Sequence, residues 1–203
     1  MKQIIGCIII ATLLASCASN NNNIKRILVI AKGSADINTD AKTITLTNGA
    51  GTEEKSADFN SAGKLSLQIK KETGDLTVDI PDNGYYMFNG KNDTIVGSYQ
   101  NYGVPKTSYD TVKQATILKG IDSLQMLIQG TNVSAANRNF YILPYQAVKI
   151  TNNLDAFIVA PYHQMTSIEK VDNKAPEVYR FYSVKEIKET IENLKALSKH
   201  TKK

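Results

Sequence analysis

Apolar and polar residues alternate along much of the chain between residues 25 and 102. The clearest case is 64–70, where Leu65, Leu67 and Ile69 are separated by polar residues, as expected when successive side chains of a strand point to opposite faces. Turn residues interrupt this pattern at intervals of about 8 to 12 residues, as they do in all-β domains. The pattern predicts strands at 25–31, 42–47, 55–59, 64–70, 76–80, 85–88 and 94–99. We therefore expect a small antiparallel β-sandwich over residues 25–104.

Two segments carry the residues of tight connections. Pro81-Asp82-Asn83-Gly84 is a turn sequence, because Pro fixes φ and Gly accepts positive φ. Residues 89–93 combine Asn, Gly and Asp, which are typical of hairpin loops. This second segment predicts a hairpin that pairs 85–88 with 94–99.

After Pro105 the period changes from that of a strand to that of a helix. Apolar residues recur at helical spacing from Ile117 to Ile128. Thr111 and Gln114 match a capping box before this segment, and Gly130 is a natural stop after it. Further strands are predicted at 140–143, 147–151 and 156–160.

The last predicted element is a helix over residues 184–199. Ser183 and Glu186 have the spacing of a capping box, and Tyr182 and Ile187 occupy the positions of a hydrophobic staple. The apolar residues after Ile187 follow one side of the helix, so the helix is amphipathic. Residues 105–203 are therefore expected to form a smaller α+β part, which makes the whole chain α+β.

The first 16 residues have the composition of an export signal. A short positive start with Lys2 precedes an apolar stretch over residues 4–14, and small residues follow it. About eleven apolar residues at 1.5 Å each cover only about half of a roughly 30 Å hydrocarbon core. We therefore expect residues 1–16 to be a signal peptide that is removed.

The segment Leu14-Ala15-Ser16-Cys17 resembles the lipobox of bacterial lipoproteins. In that class a peptidase cuts before the cysteine, whose sulfur carries a diacylglyceryl group with fatty chains such as palmitate. The resemblance implies cleavage between Ser16 and Cys17 and lipidation of Cys17, and two or more acyl chains suffice for stable anchoring. An Asp after the cysteine often signals retention in the inner membrane in this class, so Ala18 favours the outer membrane. Residues 17–24 would then form the lipidated N-terminus and a polar tether.

Cysteine content and charge agree with this interpretation. Cys7 lies in the predicted signal peptide, so Cys17 would be the only cysteine left in the mature chain, and no disulfide is possible. The formal net charge of +5 falls by one when Lys2 is removed. Both signs of charge are interspersed along the chain, which is typical of an ordinary solvated surface.

Tyrosine is the conspicuous enrichment of the exported part. Tyr85, Tyr86, Tyr99 and Tyr102 fall close together in sequence, and on paired strands they would form an exposed surface for a glycan or a protein. The alternative is that they pack in the core as good strand formers. Arg138, in the polar segment 132–139, is the other candidate for a binding surface.

Catalytic motifs are absent from the sequence. His163 is the one histidine outside the C-terminal tail, and a hydrolase hypothesis would combine it with a serine and with Glu169 or Asp172, although no G-x-S-x-G segment supports this. There is no P-loop and no zinc or EF-hand spacing. We expect no catalytic site, no metal, no cofactor and no nucleic-acid partner.

The sequence thus predicts a membrane-anchored envelope lipoprotein with a non-catalytic binding or assembly role, whose partner is an envelope protein or glycan. Two alternatives remain open. One is a small envelope hydrolase that uses His163. The other is a structural spacer whose basic surface rests on anionic lipid, with binding that weakens in salt.

The chemistry at Cys17 is directly testable. Mass spectrometry of the native protein should show an N-terminus at Cys17 with a diacylglyceryl adduct, because the lipobox resemblance requires both. An unmodified Cys17, or residues 1–16 still attached after export, would overturn the predicted location and the roles that depend on it.

Overall fold

The computed structural model describes residues 23–101, 114–134, 136–164 and 175–200. Over these residues the chain is a mixed α/β fold, largely β, with ten strands in two sheets and two helices, one of them C-terminal. The strands are β1 (Ile24–Asn38), β2 (Thr43–Asn60), β3 (Leu65–Lys71), β4 (Leu76–Ile80), β5 (Gly84–Gly90), β6 (Ile95–Gln100), β7 (Asn139–Ile142), β8 (Ala147–Thr151), β9 (Phe157–Val159) and β10 (Val178–Ser183). The helices are α1 (Gln114–Ile128) and α2 (Val184–His200).

The larger sheet has six strands in the order β4-β3-β2-β1-β5-β8, and the smaller has four in the order β7-β6-β10-β9. In the larger sheet the edge strands β4 and β8 approach each other, so this sheet curls around its own core. At its centre β1 and β5 run parallel, from Lys25 opposite Gly84 to Ala31 opposite Gly90. We call this pairing the parallel ladder.

Three apolar clusters form the core. The first fills the inside of the curled sheet and includes Ile27 and Val29 of β1. The second lies between the two sheets, where Leu28 and Ile30 share a cluster with Phe181 of β10. The third joins the four-stranded sheet to both helices. Since β1 and β5 contribute to two clusters each, both strands are buried on both faces, which explains their nearly continuous apolar sequences.

A buried lysine marks the start of the parallel ladder. Lys25 is 0% exposed, and its Nζ donates to the Ser61 carbonyl and to Asn83 Oδ1, at 2.8 Å in each case. Burial lowers the pKa of this ammonium below its ordinary value. The bond to Asn83 ties the segment before β5 to β1 and thereby helps to fix the ladder register, and the bond to Ser61 holds the residue after β2.

The hairpin of β1 and β2 contains a large bulge. Lys32 pairs with Thr52 and Ser34 pairs with Thr47, so the four residues 48–51 of β2 lie opposite the single residue Gly33 of β1. Gly33 has a φ of 90°, and a Cβ there would lie 2.3 Å from the Gly49 nitrogen. Only glycine permits this approach.

Two expectations about topology are wrong. The sandwich was expected to be antiparallel, but β1 pairs with β5 and β2 pairs with β3 in parallel. The expected hairpin of 85–88 with 94–99 does not form, because β5 lies in the larger sheet and β6 in the smaller. Both sheets contain strands from before and after residue 104, since β8 joins the larger sheet and β6 pairs with β7 and β10.

The locally encoded elements are confirmed. β4 and β8 have the predicted limits, and β3 shows the predicted alternation of buried and exposed residues. In α2, Ser183 N donates to Glu186 Oε2 at 2.7 Å and Glu186 N donates to Ser183 Oγ at 3.1 Å, which is the predicted capping box. At the end of α1, Gly130 N donates to Leu127 O and Thr131 N donates to Met126 O, both at 3.1 Å, in a Schellman motif.

A glycine in the four-stranded sheet provides a test of this packing. Gly97 of β6 faces Phe181, and a Cβ at Gly97 would lie 2.3 Å from Phe181 Cδ1. Gly97→Ala should therefore lower the free energy of unfolding by about 1–3 kcal/mol. The matched control is Gly120→Ala in α1, where a Cβ meets nothing within 4 Å and where alanine should stabilise by up to about 1 kcal/mol. Denaturant unfolding measures both, and equal effects would contradict the packing.

Candidate binding cleft

The structure does not assemble the predicted tyrosine surface. Tyr85 is 9% exposed and packs between the sheets, whereas Tyr86 is 3% exposed and packs inside the curled sheet. They are consecutive residues of β5, so they point to opposite faces. The core alternative is therefore correct for Tyr85 and Tyr86, and the binding-surface prediction is wrong for them. Tyr99 is half-buried, and Tyr102 lies outside the described residues.

Arg138 and Tyr99, both predicted as binding residues, do come together. The Arg138 guanidinium carbon lies 3.7 Å from the Tyr99 ring centroid. Arg138 Nη2 donates to the Tyr179 hydroxyl at 2.5 Å and forms an ion pair with the Glu177 carboxylate. We call these four residues the arginine cluster.

The arginine cluster is already satisfied by its own partners. The Glu177 carboxylate accepts hydrogen bonds from Tyr179 at 2.5 Å and from Thr151 and Asn153 at 3.0 Å each. Burial alone would raise the pKa of Glu177, but these bonds and Arg138 outweigh burial and lower it. Because Thr151 ends β8 of the larger sheet and Tyr179 belongs to β10, the cluster connects the two sheets and leaves little capacity for a ligand.

A different group of residues lies open to a ligand. Parallel strands end at the same edge of a sheet, and the parallel ladder ends at Ala31 and Gly90. Lys32 of β1 therefore directly follows the last ladder residue of that strand, while Lys91 and Asn92 follow the end of β5. Around them lie two adjoining lobes that share Lys32 and Asn92, of about 420 Å³ and about 240 Å³. We call the pair of lobes the lysine cleft.

Each lobe has an aromatic wall and a backbone wall. Tyr162 lines the larger lobe and Tyr145 lines the smaller. The bulge of β2 contributes to both, with Gly51 in the larger lobe and Asn48 in the smaller. The close approach of the bulge to Gly33 thus shapes the cleft.

Asn89, the residue before Gly90, holds the cleft together from beneath. It is 0% exposed, and its Nδ2 donates to the Asp93 carbonyl at 2.8 Å and to the Ile142 carbonyl at 3.1 Å. Its Oδ1 accepts from Lys91 N at 3.1 Å, and its carbonyl accepts from Tyr145 N at 2.7 Å. The side-chain amide of Asn89 thus positions the loop after β5, and its backbone carbonyl positions Tyr145 of the smaller lobe.

Both tyrosines of the cleft have a left-handed backbone. The φ angle is 59° at Tyr145 and 67° at Tyr162, which is uncommon for residues other than glycine. Such conformations persist only where surrounding contacts impose them, and they cluster at functional sites. The Tyr145 hydroxyl donates to Asn92 Oδ1, and Lys71 Nζ lies 4.2 Å from the Tyr145 ring centroid.

Tyr162 is held by the N-terminus of α2. Its backbone nitrogen donates to Glu186 Oε1 at 2.8 Å, and its hydroxyl accepts from Ser183 Oγ at 2.9 Å. Glu186 and Ser183 form the capping box, so the residues that begin the helix also fix this wall of the cleft. Lys91 Nζ lies 5.6 Å from the Tyr162 ring centroid, and 57% of Tyr162 remains exposed.

Lys32 is the cation of the cleft that keeps its charge available. It is exposed, and it has no hydrogen bond or ion pair with any residue that the structure describes. The neighbouring acids are each engaged elsewhere. The pairs are Asp93 with Lys91 at 3.4 Å, Glu72 with Asn48 at 2.9 Å, Glu53 with Ala35 N at 2.5 Å and Glu54 with His163 at 2.8 Å.

His163 lies beside the cleft, not in it. Its Nε2 pairs with Glu54 Oε1 of β2, and its side chain is 60% exposed. None of its contacts in the described residues is to a serine. Glu169 and Asp172, the proposed acidic partners, lie outside the described residues, as do Ser16 and Cys17.

Comparison with known protein families, with curated proteins and with solved structures finds no match to this chain. Within the described residues, no group of three or more His, Cys, Asp or Glu side chains is placed to hold a metal ion. Neither described helix is long and apolar enough to cross a membrane.

The arginine cluster gives a prediction about acid stability. Because the pKa of Glu177 is lowered from its ordinary value of 4.5, its ionised form stabilises the fold above that value, and the contribution is lost as the pH falls through the folded-state pKa. Glu177→Gln should lower the free energy of unfolding at neutral pH and flatten its decline below pH 4.5. Denaturant unfolding from neutral to acidic pH checks this, and an unchanged slope would contradict the role of Glu177.

Proposed function

We propose that this chain is a lipid-anchored protein of the bacterial envelope, at the outer membrane, that binds another envelope component through the lysine cleft without catalysing a reaction. The observation that carries the proposal is the geometry of the cleft. Two lobes meet at Lys32, which has no ion-pair partner among the described residues, and two tyrosines with left-handed backbones form their walls. A volume of about 420 Å³ lies within the usual range for small-molecule sites of about 300–1,000 Å³.

The arrangement supports binding because its parts are rigidly positioned. Asn89 fixes the loop of Lys91 from below, and Glu186 fixes Tyr162 from the side. A preformed site loses less conformational entropy when a ligand binds. The lipobox resemblance of residues 14–17 supports a location of the folded part close to a membrane, because the predicted tether over residues 18–23 reaches at most about 20 Å.

An enzymatic role finds less support. The hydrolase hypothesis needs a histidine nitrogen directed at a serine hydroxyl, whereas His163 Nε2 pairs with Glu54. In the lysine cleft the polar groups that lie together are cations, amides, tyrosine rings and the carboxylates of Asp93 and Glu72, which pair with Lys91 and Asn48. These are groups that recognise a ligand.

The proposal is tested by capture from detergent-solubilised envelopes with the lipidated protein immobilised. The test variant is Lys32→Ala with Tyr162→Ala, which alters both lobes at exposed positions. The control is Lys188→Ala, an exposed lysine of α2 remote in sequence from the cleft residues. We expect a protein or glycan that the native chain and the control retain and that the double variant loses. The absence of any component with this pattern would refute the proposal.

A further inference from the structure

The lysine cleft has a composition that matches one class of ligand. We infer that it takes an acidic carbohydrate, that is, sugar units of which one carries a carboxylate or phosphate group, with the acidic group at Lys32. This inference rests on the proposed function and names the ligand for the same site. It follows from the charge, from the lining groups and from the arrangement of the two lobes.

Lys32 is the cation of the cleft that an acidic group can pair with. Lys91 is 7% exposed and pairs with Asp93 at 3.4 Å, and Lys71 lies over the Tyr145 ring. Lys32, in contrast, is exposed and has no described partner. An anion at Lys32 therefore forms a new ion pair and does not have to displace an existing one.

The acidic residues around the cleft do not cancel the preference of Lys32 for an anionic ligand. Asp93 and Glu72 line the lobes, but the first pairs with Lys91 and the second accepts from Asn48. Glu54, two residues from Thr52 of the larger lobe, pairs with His163. A cationic ligand would have to compete with these partners, whereas an anionic ligand meets a lysine that is ready to pair.

The remaining groups suit sugar rings. A sugar has apolar faces that pack on aromatic rings and hydroxyl groups that exchange hydrogen bonds with amides and hydroxyls. Tyr162 offers an exposed ring at the larger lobe, and Asn92 and Thr52 supply polar atoms there. The smaller lobe repeats the combination with Tyr145 and Asn48.

The position of Lys32 between the lobes indicates the size of the ligand. Because both lobes contain Lys32 and Asn92, a ligand with its acidic group at Lys32 has a lobe on each side. Each lobe has its own tyrosine. A short acidic oligosaccharide uses both lobes, whereas a simple inorganic anion uses only the lysine.

Calorimetric titration of the mature, lipidated protein in non-ionic detergent tests this inference. The ligands are a galacturonic acid trisaccharide, its methyl ester, a mannose 6-phosphate disaccharide and inorganic phosphate. We expect at least one acidic sugar to bind at least about tenfold more tightly than the ester and more tightly than phosphate, and the preferred sugar identifies carboxylate or phosphate as the acidic group.

Four variants separate the contributions. Lys32→Met should abolish the preference for the acidic sugar, Lys32→Arg should retain most of it, and the matched control Lys188→Met should leave it unchanged. Tyr162→Ala should weaken the binding of the trisaccharide and of its ester to the same extent, because the tyrosine ring does not distinguish the acid from the ester. Circular dichroism confirms that each variant is folded.

Several outcomes would overturn the inference. If neither acidic sugar bound more tightly than the ester, charge would have no role, and if phosphate bound as tightly as the preferred sugar, the rings would have no role. No binding of any of these ligands, while a component captured from envelopes still depends on the cleft, would refute the acidic carbohydrate and leave the proposed function intact. If no captured component depends on the cleft, the proposed function itself fails.

Discussion

The parallel ladder of β1 and β5 is the constraint on which the other features of the fold depend. Its side chains point alternately into the curled sheet and into the space between the sheets, so two of the three apolar clusters meet at this pair of strands. Burial on both faces removes the most apolar surface per residue, and it stabilises in proportion to that area. The ladder thereby fixes where both sheets lie.

The position of the cleft follows from the direction of the ladder. The parallel ladder ends at Ala31 and Gly90, so Lys32 and Lys91 follow it side by side, and the bulge opposite Gly33 contributes Asn48 and Gly51 to the walls around them. Asn89 and the capping box of α2 then hold the surrounding loops. The cleft is therefore built on the most buried strands of the protein, which favours a preorganised binding site.

The sequence predicts structure that depends on neighbouring residues, and it does not predict the pairing of distant segments. Alternation in β3 and the capping box of α2 involve neighbouring residues, and both are confirmed. The partner of β1 lies more than 50 residues away in β5, and periodicity carries no information about such pairing. The continuous apolar run Ile27–Ala31 does indicate a strand that is buried on both faces. β10 was not predicted, although its sequence is rich in aromatic residues. Lys32, Asn89 and Tyr162 were not predicted as cleft residues, because only the long-range pairing of the strands brings them together.

Native-state hydrogen exchange measures most directly whether the parallel ladder is the central element. The account predicts that the hydrogen-bonded amides of 27–31 and 86–90 exchange only when the whole protein unfolds, so their exchange free energy should equal the global free energy of unfolding and exceed that of β9, the edge strand of the smaller sheet. Exchange of the ladder amides at a lower free energy than the amides of β9 would contradict the central role of the ladder. Exchange of the amides of one sheet independently of those of the other sheet would contradict it as well.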